Sequence, residues 1–167
     1  MYKIGDKIVY GQSGVMTVVD IREEKVLSEK KKYYVLKSPD AGEGALTFVP
    51  VDNEGLLSLM RPLMKPSEID EILSSVKESP QFQWIEDARI RATALKKLVD
   101  TGEVSDILRM IKAVEEKIAL RTETGKRSYL SDEVIMKKAK KRIYSEFSEV
   151  LNLTFDETEK YISDMLK

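Results

Sequence analysis

Lys7–Ile21 reads KIVYGQSGVMTVVDI, two β-type runs around a glycine-bearing turn. Val, Ile, Tyr and Thr dominate both runs, and Gly11 and Gly14 bracket the break between them. The style of this segment continues outward. A charged stretch follows, then KYYVLK, then the turn-rich SPDAGEG, then ALTFVP, which Pro50 ends. The alternation in YYVLK is weak, so burial on both faces is expected there. About five short strands in so short a segment predict a small barrel of the SH3 or Tudor kind over residues 1–56.

Beyond RPLMKPSE the period changes from two to that of a helix. Pro62 and Pro66 bracket this boundary, and residues 57–66 read as a linker. Residues 67–167 then read as an all-α bundle of about five helices, which makes the chain α+β. Ser67 is the expected cap of the first helix, with Ile69, Ile72, Leu73 and Val76 as its apolar face. A second helix is expected from about Gln83 to Gly102, and a third over Val104–Arg121 with Val104, Ile107, Leu108, Ile111, Val114 and Ile118 inward. Ser131 is the expected cap of a fourth, whose buried side holds Val134, Ala139, Ile143, Phe147 and Val150. Thr154 and Glu157 form a capping box for a fifth.

Composition bounds the chemistry. The chain has 167 residues, 42% of them hydrophobic and 34% charged, enough for a core and too charged for a membrane protein. The first residues lack an apolar signal region, and there is no Cys, so an intracellular, cytoplasmic protein is expected. His is absent too, which removes the commonest general base and the commonest transition-metal ligand. No phosphate-cradling glycine loop or serine elbow occurs. The expectation is therefore no enzyme, no metal and no cofactor. The net charge of −1 is unlike that of a general nucleic-acid coat, so any DNA contact has to be local and delivered by a partner.

The single tryptophan lies in Ser79–Leu98, SPQFQWIEDARIRATALKKL. On a helix at about 100° per residue, Ile85, Ala88, Ala92, Leu95 and Val99 fill the buried stripe and Trp84 lies just outside it. Arg91 falls on the Trp84 side, while Arg89 and Lys96 flank the other edge. Two roles fit this placement: an anchor that closes the bundle against the preceding loop, and an aromatic wedge for distorted DNA, with arginine for phosphate. The lysines of the basic run Lys137–Arg142 point away from the core, which is the pattern of a solvated helix face; a phosphate contact is the alternative.

These segments, in this order, resemble CarD-type transcription regulators, the CarD/CdnL family. The opening YKIGDKIVYGQSGVMTVVDI, the pair YYVLK and LTFVP, then Trp84, LKKLVDTGE, VSDILRMI and YLS before a basic helix carry the likeness over nearly the whole chain. The resemblance implies a Tudor-like domain, as in transcription-repair coupling factor, that binds the RNA polymerase β subunit. It also implies a helical domain whose tryptophan enters the minor groove of promoter DNA at the upstream edge of the melted region. That contact stabilises the open complex with little sequence preference. Carried onto this sequence, it places DNA contacts at Trp84, Arg89, Arg91, Lys96, Lys137 and Lys138, and polymerase contacts at Arg22, Glu24, Val26 and Phe48. Glu24 and Phe48 stand where some members use arginine. Glu133 or Ile135 stands where members carry a basic residue, with Lys137 or Lys138 one turn on. A rival of another class is an adaptor that joins two proteins without touching DNA, Trp84 being a hot spot for protein.

Overall fold

In the computed structural model, residues 1–40, 42 and 44–167 are described. Ala41 and Glu43, within the predicted turn Ser38–Gly44, lie outside the described residues. The chain forms two compact units, Met1–Met64 and Lys65–Lys167.

The first unit is a five-stranded antiparallel sheet in the order β4-β3-β2-β1-β5. Its strands are β1 (Lys7–Tyr10), β2 (Val15–Val26), β3 (Glu29–Lys37), β4 (Leu46–Pro50) and β5 (Met60–Pro62). The opening stretch behaves as its residue types dictate. Gly11 (φ 47°) and Gly14 (φ 77°) carry the positive dihedrals that join β1 to β2, and the Tyr10 N–H donates to Gly14 O at 3.0 Å. The register is Lys7↔Thr17 and Val9↔Val15. A bulge between Val18 and Asp20 breaks the alternation of β2, leaving Val18 buried and Val19 exposed. Tyr34, Val35 and Leu36 are all buried, which is why YYVLK does not alternate cleanly.

The core of this unit joins Ile8, Met16, Val18, Tyr34, Leu36, Val49 and Met60. Burying each fully apolar member contributes about 1.5–3 kcal/mol. Met60 belongs to β5, within the stretch 57–66 that reads as a linker. There, Met60 pairs with Tyr10 and Pro62 with Ile8. Three residues that end in a proline carry no readable period, so only pairing with β1 reveals this strand. Tyr2 ties down the N-terminal segment, its hydroxyl donating to Met60 O at 3.2 Å. The short α1 (Glu54–Leu57) is capped by Asn53, whose side chain accepts from Leu56 N. This architecture fits a Tudor-like domain.

The second unit contains α2 (Pro66–Glu78), α3 (Ala88–Thr101), α4 (Val104–Glu123), α5 (Leu130–Leu151) and α6 (Phe155–Met165). Ile69, Leu73 and Val76 of α2 are buried, as are Leu95 and Val99 of α3. So are Ile107, Leu108, Ile111 and Val114 of α4, and Ala139, Ile143 and Phe147 of α5. The periodicity therefore locates the inner faces well. The helix starts are less legible. In α2 the cap is Lys65, whose backbone N–H donates to the Glu68 carboxylate at 2.6 Å, with Pro66 at the first helical position instead of Ser67 as cap. In α5 the cap is Tyr129, not Ser131, and Val134 is exposed. The capping box at α6 forms as read. Thr154 Oγ1 accepts from Glu157 N at 3.2 Å and Glu157 Oε2 accepts from Thr154 N at 2.8 Å. The Thr154 backbone N–H and hydroxyl, both bonded to Glu157 Oε2, hold the Glu157 carboxyl below its ordinary pKa.

Gly102 ends α3, but not through a positive φ, since its φ is −81°. A Cβ there would lie 2.5 Å from Leu98 O and 2.6 Å from a Leu98 methyl, so this turn requires close approach of the backbone.

Candidate nucleic-acid interface

The segment before α3 is not helical. Residues 80–86 have no regular structure, and α3 begins at Ala88, where the Asp87 side chain accepts from Arg89 N (2.9 Å) and Ile90 N (3.0 Å). The helix start expected near Gln83 is therefore five residues late. Asp87 wins because its carboxylate satisfies two N–H groups that would otherwise be orphaned. Trp84 lies on a non-helical strap, so its angle on a helical wheel has no bearing on where it lies.

What holds the strap is Arg91. This side chain is 1% exposed. One terminal nitrogen, Nη1, donates to Ile85 O (2.8 Å) and Glu86 O (3.0 Å), while Nε and Nη2 make a forked pair with the carboxylate of Asp132 (2.8–3.2 Å). Its Cζ lies 4.6 Å from the Trp84 ring centroid and 5.0 Å from that of Tyr129. The guanidinium thus has a carboxylate, two carbonyls and two aromatic rings around it. Arg91, expected from the sequence to meet DNA phosphate, is instead placed inside the helical unit. The side chain is buried and its donors are committed, and withdrawing it would leave Asp132 as an uncompensated buried charge. Arg91 fixes Trp84 from within.

Trp84 itself is half-buried, and two clefts open beside it. One, of about 360 Å³, is lined in part by Lys77, Phe82, Arg109, Lys112 and Lys117. The other, of about 300 Å³, is lined in part by Glu86, Lys117, Arg121, Lys126 and Tyr129. Lys117 Nζ is 5.4 Å from the Trp84 ring centroid, and Arg121 Cζ is 4.4 Å from that of Tyr129. Lys117, Arg121, Tyr129 and Asp132 are absent from the sequence-based site, except for YLS as a family likeness. The readable signal is that Lys117 and Arg121 are four residues apart on α4. Nothing local ties them to a tryptophan so far back in the chain.

The other expected DNA residues are distributed elsewhere. Arg89, Lys96 and Lys137 are exposed, and Lys138 Nζ is paired with Asp100 at 2.6 Å. None of the four lines either cleft beside Trp84.

On the sheet, the structure brings together Arg22, Glu24 and Phe48. Arg22 Nε donates to Asp20 at 2.9 Å, Arg22 Nη1 lies 3.8 Å from Glu24, and Arg22 Cζ lies 5.6 Å from the Phe48 ring centroid. Phe48 meets Tyr33 edge-on at 6.3 Å. Val26 continues the Arg22 and Glu24 alternation toward the end of the β2–β3 ribbon, where Leu27 (φ 48°) and Ser28 (φ 76°) form the turn.

The chain thus consists of a small antiparallel sheet unit that presents charged and aromatic side chains, and a helical unit with a tethered tryptophan. Residues 2–64 match the family model of the CarD-like/TRCF RID domain. The match ends where the first compact unit ends. The match supports a transcription-related role that involves interaction with RNA polymerase. No curated protein matches the chain. Among the described residues no helix is long and apolar enough to cross a membrane.

Proposed function

We propose that this protein is a non-catalytic bacterial transcription regulator of the cytoplasm. Residues 2–64 bind the β subunit of RNA polymerase, through a surface that includes Arg22, Glu24, Val26 and Phe48. The helical unit contacts promoter DNA at the upstream edge of the melted region and stabilises the open complex. The observation that carries this reading is Trp84, a half-buried indole on a strap clamped by Arg91, with cationic side chains around it.

The physics follows from that clamp. A flexible aromatic loses entropy when it binds, whereas a pre-positioned one has already been ordered by folding. Stacking of a base on an aromatic ring is worth roughly 1–3 kcal/mol, and unstacked steps are available only in distorted or opened DNA. Trp84 therefore binds the open state better than the closed duplex, and only such a difference shifts the equilibrium. Near-neutral net charge makes free association with DNA weak. Docking on polymerase compensates by raising the local concentration of the helical unit.

Trp84→Ala is expected to shorten the open-complex lifetime by about tenfold, the equivalent of 1.4 kcal/mol, with unchanged affinity for polymerase. An unaltered lifetime with a folded variant would overturn the reading. A footprint of the wild-type complex separates it from the adaptor alternative, which predicts no added protection beside the melted region.

A further inference from the structure

The clamp on Trp84 removes Arg91 from contact with DNA and raises the question of which cations take its place. Lys137–Arg142 is the densest basic run in the sequence, yet much of its charge is engaged. Lys138 pairs with Asp100, Lys140 with both Glu115 and Glu159, and Arg142 donates to Val99 O. The hydrogen bonds to Glu115 and Glu159 hold the Lys140 pKa above its ordinary value, although burial acts against them.

Lys117, Arg121 and Lys126 differ in each respect. All three line the cleft that opens on Trp84. None has a carboxylate partner within ion-pair distance among the described residues. Of the two carboxylates on that cleft, Asp132 is spent on Arg91, which leaves exposed Glu86 against the three cations. Lys117 and Arg121 are one helical turn apart, about 6 Å along α4. Each is seated against a ring, and Arg121 is further fixed by its Nε, which donates to Arg127 O at 2.8 Å. Long cationic side chains ordinarily lose rotamer freedom when they bind an anion. Here the rings have already restricted them, and the cation–π contacts leave the positive charge available on its outer side.

We propose that Lys117, Arg121 and Lys126, the end of α4 and the loop after it, form the phosphate track for the DNA strand whose bases meet Trp84. This rests on the reading of Trp84 as a DNA contact and adds where the backbone of that DNA is held. Arg89, Lys96, Lys137 and Lys138 then contribute little.

The test is the salt dependence of binding by the full chain to a forked DNA oligonucleotide, followed by fluorescence anisotropy from low salt upward. Each phosphate contact contributes close to one unit to the slope of log affinity against log salt. Lys117→Gln, Arg121→Gln and Lys126→Gln are each expected to lower the slope by about one, and Arg121→Lys to retain it. The double variant Lys137→Gln/Lys138→Gln is expected to leave it unchanged. Circular dichroism and Trp84 fluorescence check that the variants are folded. An unchanged slope in the Lys117/Arg121/Lys126 triple variant, or a loss confined to the Lys137/Lys138 variant, overturns the track. Trp84→Ala distinguishes the two readings. It should weaken binding to forked DNA at constant slope, and its failure to do so removes the wedge whatever the slopes show. No binding by the wild-type chain at low salt would remove both.

Discussion

Of the arginines that lie over aromatic rings, Arg22 and Arg91 have different work. Arg22 is about as exposed as its partners Asp20 and Glu24, and sits 5.6 Å from the exposed Phe48. Arg91 is buried, forks onto Asp132 and sits 4.6 Å from Trp84. Water screens the first group and can replace each of its interactions, so it adds little to folding and remains free to meet a partner. In the second group the Arg91–Asp132 pair is almost wholly removed from water. Its worth to folding lies less in the attraction itself than in the penalty of stranding either partner. A cation beside an aromatic is therefore a binding feature or an internal brace according to burial.

That contrast sets an order of effects. Arg91→Ala is expected to destabilise the helical unit by about 3–5 kcal/mol, because Asp132 loses its counter-charge. Arg91→Lys should not restore it, since an ammonium cannot serve the Asp132 fork and both strap carbonyls together. Urea unfolding followed by Trp84 fluorescence measures both, and near-wild-type stability for Arg91→Ala would end the distinction drawn above.

Tyr129→Leu tests the outer ring of the brace. It retains apolar bulk but removes the cation–π partner of Arg91 and Arg121, a loss of about 1 kcal/mol in the same assay. Arg22→Ala should change stability by less than about 0.5 kcal/mol, while weakening binding to polymerase in a direct affinity measurement. A large loss of stability there would make the two arginines alike.

The smallest effect concerns Lys138 and Asp100. The hydrogen bond from Lys138 holds the Asp100 carboxyl below its ordinary pKa, with the charges of Lys138, Lys96 and Arg142 acting the same way against slight desolvation. A depressed folded pKa contributes stability above the ordinary carboxylate range, and that contribution is lost as pH falls through the depressed value. Lys138→Gln should move the Asp100 titration upward toward the ordinary range, as read by carboxyl NMR, with little change in unfolding at neutral pH. An unmoved titration would show that the other cations suffice.

The legibility of these features follows the range of the interactions behind them. The α6 capping box is complete within four residues, and Thr154 and Glu157 announce it. The inner faces of α4 and α5 appear as periodic Ile, Leu, Val and Phe. The start of α3 was within reach as well, because Asp87 is a sound cap, but Gln83–Glu86 contain no glycine or proline to stop a helical reading sooner. β5 was out of reach, since Met60–Pro62 is a strand only because Ile8–Tyr10 lies beside it.

The amino-acid sequence alone determined an antiparallel sheet unit followed by helices, the inward faces of those helices, and the exclusion of cysteine and histidine chemistry. Each depends on residue type or on a period of two or 3.6, properties that neighbours in the chain express together. Tertiary structure alone decided the fate of the charges. Arg91 and Arg89 are two residues apart and chemically identical, yet one is an internal brace and the other is exposed. The difference is Asp132, far along the chain, which makes burial of a guanidinium tolerable at the first position and is out of reach of the second. Charge lacks the short-range periodicity of apolar burial, so its role is settled only when distant partners meet.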